Sequence, residues 1–476
     1  MRYIELLGGR KPHLLEAIRN NFGGEIRLHY APSTKFYLED AKKGEPWLTR
    51  LHFPVHVVER VEKEDRITGN KLVTRYRYKH GYYDGIERDF RGFARVDKWD
   101  AESFRQGESE PGIVLPPVHT KTWFHTGVAP KETSLEEALS SEFYRPDGET
   151  VPPASLLPDS LDSDEVQEAA RALRGKILRE EIYAEDGSPE EGLPYLMTEN
   201  RYQVCQIQPK ASNRHGVYFP YLIETLEDQL ERRPDDGRRK QRLILEVDEY
   251  GNALREAEVA FPRAQTADPI QGKALVRVTE RSFAHSPDNA DWYRHSLPVR
   301  ETTYELTDWS PTEKRLDLNS FHALLLNTPK AAFHEDTSGR IVLRELEETL
   351  THYMDDQQGG PLPEGEIDSL ALPYDTYRKA ITNELLGQAY DGRVAHDLLA
   401  EGGYVEIDDA YWAPTGCILY DASKFYLPFQ FIDSLGGITR VSYDPSGLLL
   451  ERTTDPVGNV IEVEFDYQSL QPSRIR

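Results

Sequence analysis

The sequence predicts a mostly-β protein of long antiparallel strands with a small helical insertion. Three observations carry this expectation. Apolar or aromatic residues alternate with charged ones over strand-length runs, as in residues 73–79, 243–248 and 461–467. Glycine and asparagine, which tolerate the backbone angles of tight hairpins, fall between such runs. Near the end of the chain, aspartates open Asp-x-x-Gly turns at a fixed spacing.

Residues 1–100 read as β-rich. In 73–79, Tyr76 and Tyr78 fall on one face and Arg75, Arg77 and Lys79 on the other, as a half-buried strand requires. The preceding Ile67-Thr68-Gly69-Asn70-Lys71 reads as a hairpin connection. Gly81-Tyr82-Tyr83-Asp84-Gly85 and residues 88–93 place glycines densely among aromatics, which predicts tight turns under packed rings. Residues 101–165 read as a Pro-rich, acidic linker, bracketed by Pro116-Pro117 and Pro152-Pro153. Short amphipathic helices are expected inside it at 135–143 and around 164–174. Strands return over 166–310. There Leu243, Leu245 and Val247 face one way, and Asp248-Glu249-Tyr250-Gly251-Asn252 reverses the chain, with Gly251 and Asn252 supplying positive φ. Residues 311–400 read as the helical insertion. Leu343, Leu346, Leu350 and Met354 recur at spacings of three and four, which predicts a helix over 340–354, and a second is expected over 374–386.

The last segment, 401–476, carries repeated strands. Asp433, Asp444 and Asp455 are eleven residues apart, each followed three positions on by Gly436, Gly447 or Gly458, and Asp466 falls on the next beat. Aspartate caps the backbone two residues on, proline presets φ where Asp-Pro occurs, and glycine closes the turn. Each turn reverses a strand of about seven residues, so an antiparallel ribbon grows by repetition. From this chemistry, Gly447→Val is expected to damage folding more than Asp444→Ala.

Composition narrows the function. A chain of 476 residues exceeds one core. Its 38% hydrophobic residues are few, yet 26 Tyr and 17 Phe argue for a folded, surface-rich protein. A net charge of −25 repels phosphate backbones and disfavours nucleic acid as a partner. No apolar run is long enough for membrane insertion, and Met1 to Gly9 does not read as a secretory signal, so export would use another route. Cys205 and Cys417 stand outside any zinc-type spacing and read as free thiols. Carboxylates such as Asp84 and Glu87 lie near each other, but 82 acidic residues make accidental pairs certain. Residues 159–165 lack the glycine and ligand spacing of a calcium loop. His80 and His125 read as packed or exposed, not as ligands. No catalytic, cofactor-binding or metal-binding residue is assigned, and no cofactor is expected. The residues singled out are turn and motif residues: Tyr83, Asp84, Gly85, Asp248, Gly251, Asn252, Asp433, Gly436, Tyr443, Asp444, Gly447, Asp455, Gly458 and Asn459.

Tyr443-Asp444, Gly447-Leu448-Leu449 and Thr454-Asp455-Pro456-Val457-Gly458-Asn459 resemble an RHS, or YD, repeat, and Phe465-Asp466 looks like the next Tyr-Asp with Phe substituted. Residues 81–93, 175–181, 245–252, 291–294, 370–374 and 401–405 resemble, in order, stretches of the B component of Tc insecticidal toxins, the TcaC/TcdB group. The resemblance covers nearly the whole chain and looks like the middle of that longer component. It implies an RHS-type curved sheet, the wall of a hollow cocoon. It implies a non-enzymatic role in enclosing and delivering a toxic polypeptide carried by an RHS-containing C component. It further implies contact with the A component only through parts with no counterpart here, and an extracellular location within the complex. Three other readings remain: an RHS-type surface or contact-dependent competition protein that binds glycans, a hydrolase on a repetitive β scaffold, and a degenerate fragment with no function alone.

Overall fold

The computed structural model describes residues 11–104, 113–114, 116–128, 135–146, 151–263, 265–266, 268–391, 393–394 and 396–476. The reading of Met1 to Gly9, and parts of the stretch that reads as a linker, lie outside them. Antiparallel strands dominate and helices are few, as the alternation predicts. The chain divides into two compact units, one of Met1–Leu243 with Ala260–Ala274, the other of Ile244–Val259 with Leu275–Arg476.

The first unit is a meander. Strands Ala17–Arg19, Gly24–Pro32, His56–Asp65, Lys71–Asp84, Asp89–Phe104, Val118–Phe124, Ile177–Ala184, Leu196–Gln208 and Val217–Gln229 each pair antiparallel with the next. The expected hairpin after Asp65 forms, with Gly69 at φ 74° and its N–H donating to Asp65 O at 2.7 Å. Gly81 lies beneath rings as expected, since a Cβ there would come within 3.0 Å of Phe93 and 3.1 Å of Trp47. Two of the three cations on the charged face of residues 73–79, Arg77 and Lys79, are however not left to water, while Arg75 is exposed. Helix Ser33–Lys43 and the loop after it supply carboxylates. Arg77 pairs with Glu39 and Asp40, and the buried Lys79 donates to Glu45 at 2.7 Å.

The stretch that reads as a linker packs onto this sheet. The expected helices form at Leu135–Leu139, followed by the 3-10 turn Ser140–Glu142, and at Ser163–Ala172. The second is set by a capping box between Asp162 and Glu165. Leu139 and Phe143 join Ala94, Trp123 and Leu178 in one apolar cluster, and Ala169 and Leu173 join Tyr202 and Val204 in another.

In the second unit, strands Leu275–Ser286, Arg294–Leu306, Leu343–Tyr353, Pro373–Thr382, Ala410–Asp421, Leu427–Ile432, Ile438–Tyr443, Leu450–Thr454, Val460–Asp466 and Gln471–Ile475 again pair antiparallel in order. The helix expected over 340–354 is instead the strand Leu343–Tyr353. Its pairing shifts register beside Thr303 and Tyr304, which skips Leu346. That bulge resets the alternation, so buried Leu343 and Leu350 acquire helix-like spacing while Leu346 stays 48% exposed. The helix expected over 374–386 is mostly the strand Pro373–Thr382, with helix Asn383–Tyr390 beginning only at its end. The helical content of 311–400 lies in Leu318–Asn327, Asn383–Tyr390 and His396–Glu401.

Buried apolar side chains in this unit form small clusters, one around Leu350 and Trp412 and one around Leu386 and Tyr411. From residue 427 onward the only buried residue is a carboxylate, Asp444.

Candidate functional site

The repeated turns form as the spacing predicts, and the aspartate is their organiser. At Asp433 the main chain closes through Gly436 N to Asp433 O at 3.0 Å and Asp433 N to Gly437 O at 2.9 Å. Asp433 Oδ1 accepts from Leu435 N at 2.9 Å and Gly437 N at 2.7 Å. The Asp455 turn repeats this, with Oδ1 accepting from Val457 N at 3.0 Å and Asn459 N at 2.7 Å, and Oδ2 from Asn459 Nδ2 at 2.7 Å. The Asp248 turn follows the same plan: Oδ1 accepts from Tyr250 N at 2.9 Å and Asn252 N at 2.8 Å, and Oδ2 from Asn252 Nδ2 at 2.8 Å. Gly251, Gly436, Gly447 and Gly458 all have positive φ, between 68° and 90°. Asn252 does not. Its contribution is the side-chain bond to Asp248, not a left-handed backbone. The Asn459 amide is the first of the donors that hold the Asp455 carboxyl below its ordinary range. On the fourth beat, Asp466 caps Gln468 N at 3.0 Å, and Leu470 takes the left-handed position at φ 56°.

Asp444 does more than its sisters. Its carboxylate accepts from Ser446 N at 3.2 Å, Leu448 N at 2.6 Å and Leu449 N at 2.7 Å, and from the Tyr467 hydroxyl at 3.0 Å. Tyr443 donates to Pro428 O at 3.0 Å. The Tyr-Asp pair thus ties three successive hairpins together where no apolar core exists. Backbone N–H groups, Leu449 first, hold the Asp444 carboxyl below the usual range. This reverses the mutational ranking drawn from turn chemistry alone. Asp444→Ala removes the acceptor of three N–H groups and a phenol. Gly447→Val strains one residue at φ 68° and presses Leu427 Cδ1, which lies 3.3 Å from where the new Cβ would stand. The alanine variant is expected to show the lower melting temperature and the faster amide exchange over residues 438–466.

The motif at Tyr83, Asp84 and Gly85 forms a hairpin end. Asp84 Oδ1 caps Ile86 N at 2.9 Å and Glu87 N at 3.1 Å, and Oδ2 accepts from the buried Arg91 at 2.9 Å. Asp84 is thereby occupied by a turn and an ion pair, and Glu87 points instead to Arg171 at 3.4 Å. Tyr83 meets Phe53 edge-on, with centroids 5.1 Å apart. Gly85 has ordinary φ. The left-handed residues of this hairpin are Arg88 and Gly92.

A buried polar lattice on the sheet of the first unit has no counterpart among the residues singled out from the sequence. Glu142 accepts from Arg95 at 3.0 Å and Trp123 Nε1 at 3.1 Å, and contacts His80 Nε2 at 2.8 Å. Leu48 N donates to His80 Nδ1 at 3.0 Å, so the proton on Nε2 faces Glu142. Burial would raise the Glu142 carboxyl, but His80 and Arg95 overcome it and hold it at about 2. Arg95 also reaches Asp97 at 2.8 Å, which His119 contacts at 2.9 Å. A second group links Arg179 to Glu181 at 2.8 Å and to Glu199 at 2.9 Å. Charge pairs within strands, across neighbouring strands and onto the Ser140–Glu142 turn thus line this sheet beside its small apolar clusters. Sequence pattern gives little sign of them, because the strand partners are ordinary alternating residues and Glu142 comes from the distant 3-10 turn Ser140–Glu142.

Both cysteines are free, half-buried thiols. Among the described residues, no group of three or more His, Cys, Asp or Glu is placed to hold a metal ion. Among them also, no helix is long and apolar enough to cross a membrane.

Comparison with known proteins adds independent findings. Residues 6–127 match the insecticide toxin TcdB middle/N-terminal region, and residues 168–302 match the insecticide toxin TcdB middle/C-terminal region. No relative is found among curated protein sequences. Among solved structures, the chain is similar to one in the crystal structure of TcdB2-TccC3-Cdc42, with 26% identity and a TM-score of 0.76 over 97% of this chain and 23% of that one. The crystal structure of TcdB2-TccC3 gives the same identity and TM-score, with 24% of that chain covered. The Photorhabdus luminescens Tc holotoxin pore matches at 26% identity and a TM-score of 0.74, over 98% of this chain and 23% of that one. This chain therefore spans about a quarter of the length of those it matches. With the two matched regions together covering more than half of its residues, in order and on the expected fold, the chain belongs to the TcdB family of Tc toxin B components, as their middle region.

Proposed function

We propose that this chain is a stretch of the shell wall in which a Tc toxin B component, with its RHS-bearing C component, encloses and delivers a toxic polypeptide. The observation that carries this reading is the likeness of 97% of the chain to a chain of the TcdB2-TccC3 complexes. The architecture is suited to the role. Neighbouring strands are tied by Asp-centred turns and by buried ion pairs, so stiffness comes from the sheet and not from a thick apolar interior. The Tyr-Asp and Asp-x-x-Gly turns of residues 433–467 supply the RHS-type part of that wall. The partner is the C component. Contact with the A component would run through other parts of the B component. The site of action is extracellular, within the assembled toxin.

Co-expression with an RHS-bearing C component from the same genome tests this. Co-purification with the cargo region shielded from limited proteolysis is the expected result. A C component that fails to bind the B component containing this chain, or a bound cargo cut as fast as free cargo, would overturn it.

A further inference from the structure

We propose that Ser155, His125 and Glu136 form a nucleophilic triad for a small acyl ester. Ser155 Oγ lies 3.3 Å from His125 Nε2, and His125 Nδ1 lies 3.2 Å from Glu136 Oε1. Each member is held from behind. His125 follows the strand Val118–Phe124, and its main chain is fixed by His125 N to Lys176 O at 2.9 Å and Gly175 N to His125 O at 2.8 Å. Its ring meets Tyr202 edge-on at 5.7 Å. Glu136 sits in the first turn of Leu135–Leu139, and its second oxygen accepts from Ser155 N at 3.2 Å. Ser155 precedes the isolated bridge of Leu156 to Gln203.

Glu136 Oε1 is the nearest charge to His125 Nδ1. With the ring proton on Nδ1, towards that charge, Nε2 is left as the acceptor for Ser155. Tyr202 N donates to Ser155 Oγ at 3.3 Å, which occupies one lone pair and leaves the hydroxyl proton for Nε2. This is the order of roles a nucleophile, base and orienting acid require.

Two observations beyond the triad point to a ligand. A cavity of about 70 Å³ opens beside it, lined by Phe124, His125, Thr126, Leu135, Ser155 and Leu173 among others. Thr126 is 2% exposed, and its hydroxyl has no partner among the described residues. A buried hydroxyl with nothing to bond is costly, and Thr126 and Ser155 line the same cavity. In the proposed site this hydroxyl serves as the donor to a developing oxyanion. The space admits an acyl group of a few heavy atoms with apolar walls around it, and not a folded chain.

The step balances. Ser155 Oγ forms a bond to the acyl carbon while His125 Nε2 takes the hydroxyl proton. The C–O bond to the leaving alcohol breaks, and His125 returns the proton to it. Water then attacks the acyl-serine, gives its proton to His125 and releases the acid, and His125 re-protonates Ser155. In the sequence His125 reads only as a packed or exposed side chain. Its partners are 11 and 30 residues away, with no motif joining them.

This proposal does not rest on the container reading. The test is labelling of the full-length protein with a fluorophosphonate probe, mapped by peptide mass, together with p-nitrophenyl acetate turnover. A single adduct on Ser155 is expected. Substituting His125→Gln should reduce labelling roughly 100-fold or more, and Thr126→Val should slow acetate release by a similar order. Absence of a Ser155 adduct on folded wild-type protein would overturn the proposal without any variant. So would turnover that Ser155→Ala leaves unchanged.

Discussion

Substituting leucine for Glu181 is expected to cost the first unit about 3–5 kcal/mol of stability, the penalty for leaving one partner of a buried ion pair uncompensated. Glu181 is wholly buried, at 0% exposure. One oxygen accepts from Arg179 Nε at 2.8 Å and Tyr144 N at 2.8 Å, and the other from the Tyr183 hydroxyl at 2.6 Å. Leucine fits the volume but accepts nothing. Arg179 would keep Glu199, yet lose the charge on its other side, and Tyr183 would be left with a buried hydroxyl. Burial, and then the Glu181 charge, already push that phenol far above its usual range. Urea denaturation followed by tryptophan fluorescence reads the effect. Glu181→Gln keeps an acceptor and should lose clearly less. Equal losses in the two variants would mean that the carboxylate charge itself, and not shape or a neutral acceptor, is what the site requires.

The second large effect is expected at Gly416. Its φ is 105°, and a Cβ there would stand 2.1 Å from Ile432 O and 2.9 Å from Asp433 Cα, both main-chain atoms of the paired strand and its turn. Neither can move without breaking the register that sets Cys417 opposite Ile432. Gly416→Ala should therefore cost at least about 3 kcal/mol and release the amides of Leu427–Ile432 to rapid exchange. Gly85→Ala is the control. That glycine has open space around it and no positive φ, so its substitution should stay within about 0.5 kcal/mol. A silent Gly416→Ala would show that the two strands do not approach as described.

These two glycines show where sequence reading succeeds and where it stops. The Asp-x-x-Gly turns are legible because their chemistry is local: donor, acceptor and glycine lie within five residues, and repetition makes them stand out. Gly416 has no such pattern, since its reason is a strand sixteen residues on. The helix expected over 340–354 fails for a related cause. Leu343, Leu346 and Leu350 carry helical spacing only because a bulge sets Leu346 aside, and a bulge depends on the partner strand. The buried pairs are hidden for the same reason. Arg95 and Glu142 are 47 residues apart, and in a chain with 82 acidic residues one more glutamate carries no signal. The Tyr-Asp motif is visible, but not its weight. Asp444 reads as a turn residue, whereas its buried carboxylate fastens neighbouring hairpins.

Order of assembly follows from the neighbour-to-neighbour pairing of the strands. With each strand bonded to the one just made, a ribosome can release the sheet as it is synthesised. Every new hairpin docks on an edge already in place, and little chain waits unpaired. Such local closure costs little loop entropy and favours rapid zippering. The main delay in the first unit is the span between Phe124 and Ile177, which pair only after the intervening helices have been made. Until then Val118–Phe124 is a growing edge, open to the wrong strand. A nascent chain stalled in that span is where misassembly, and the help of a chaperone, would concentrate.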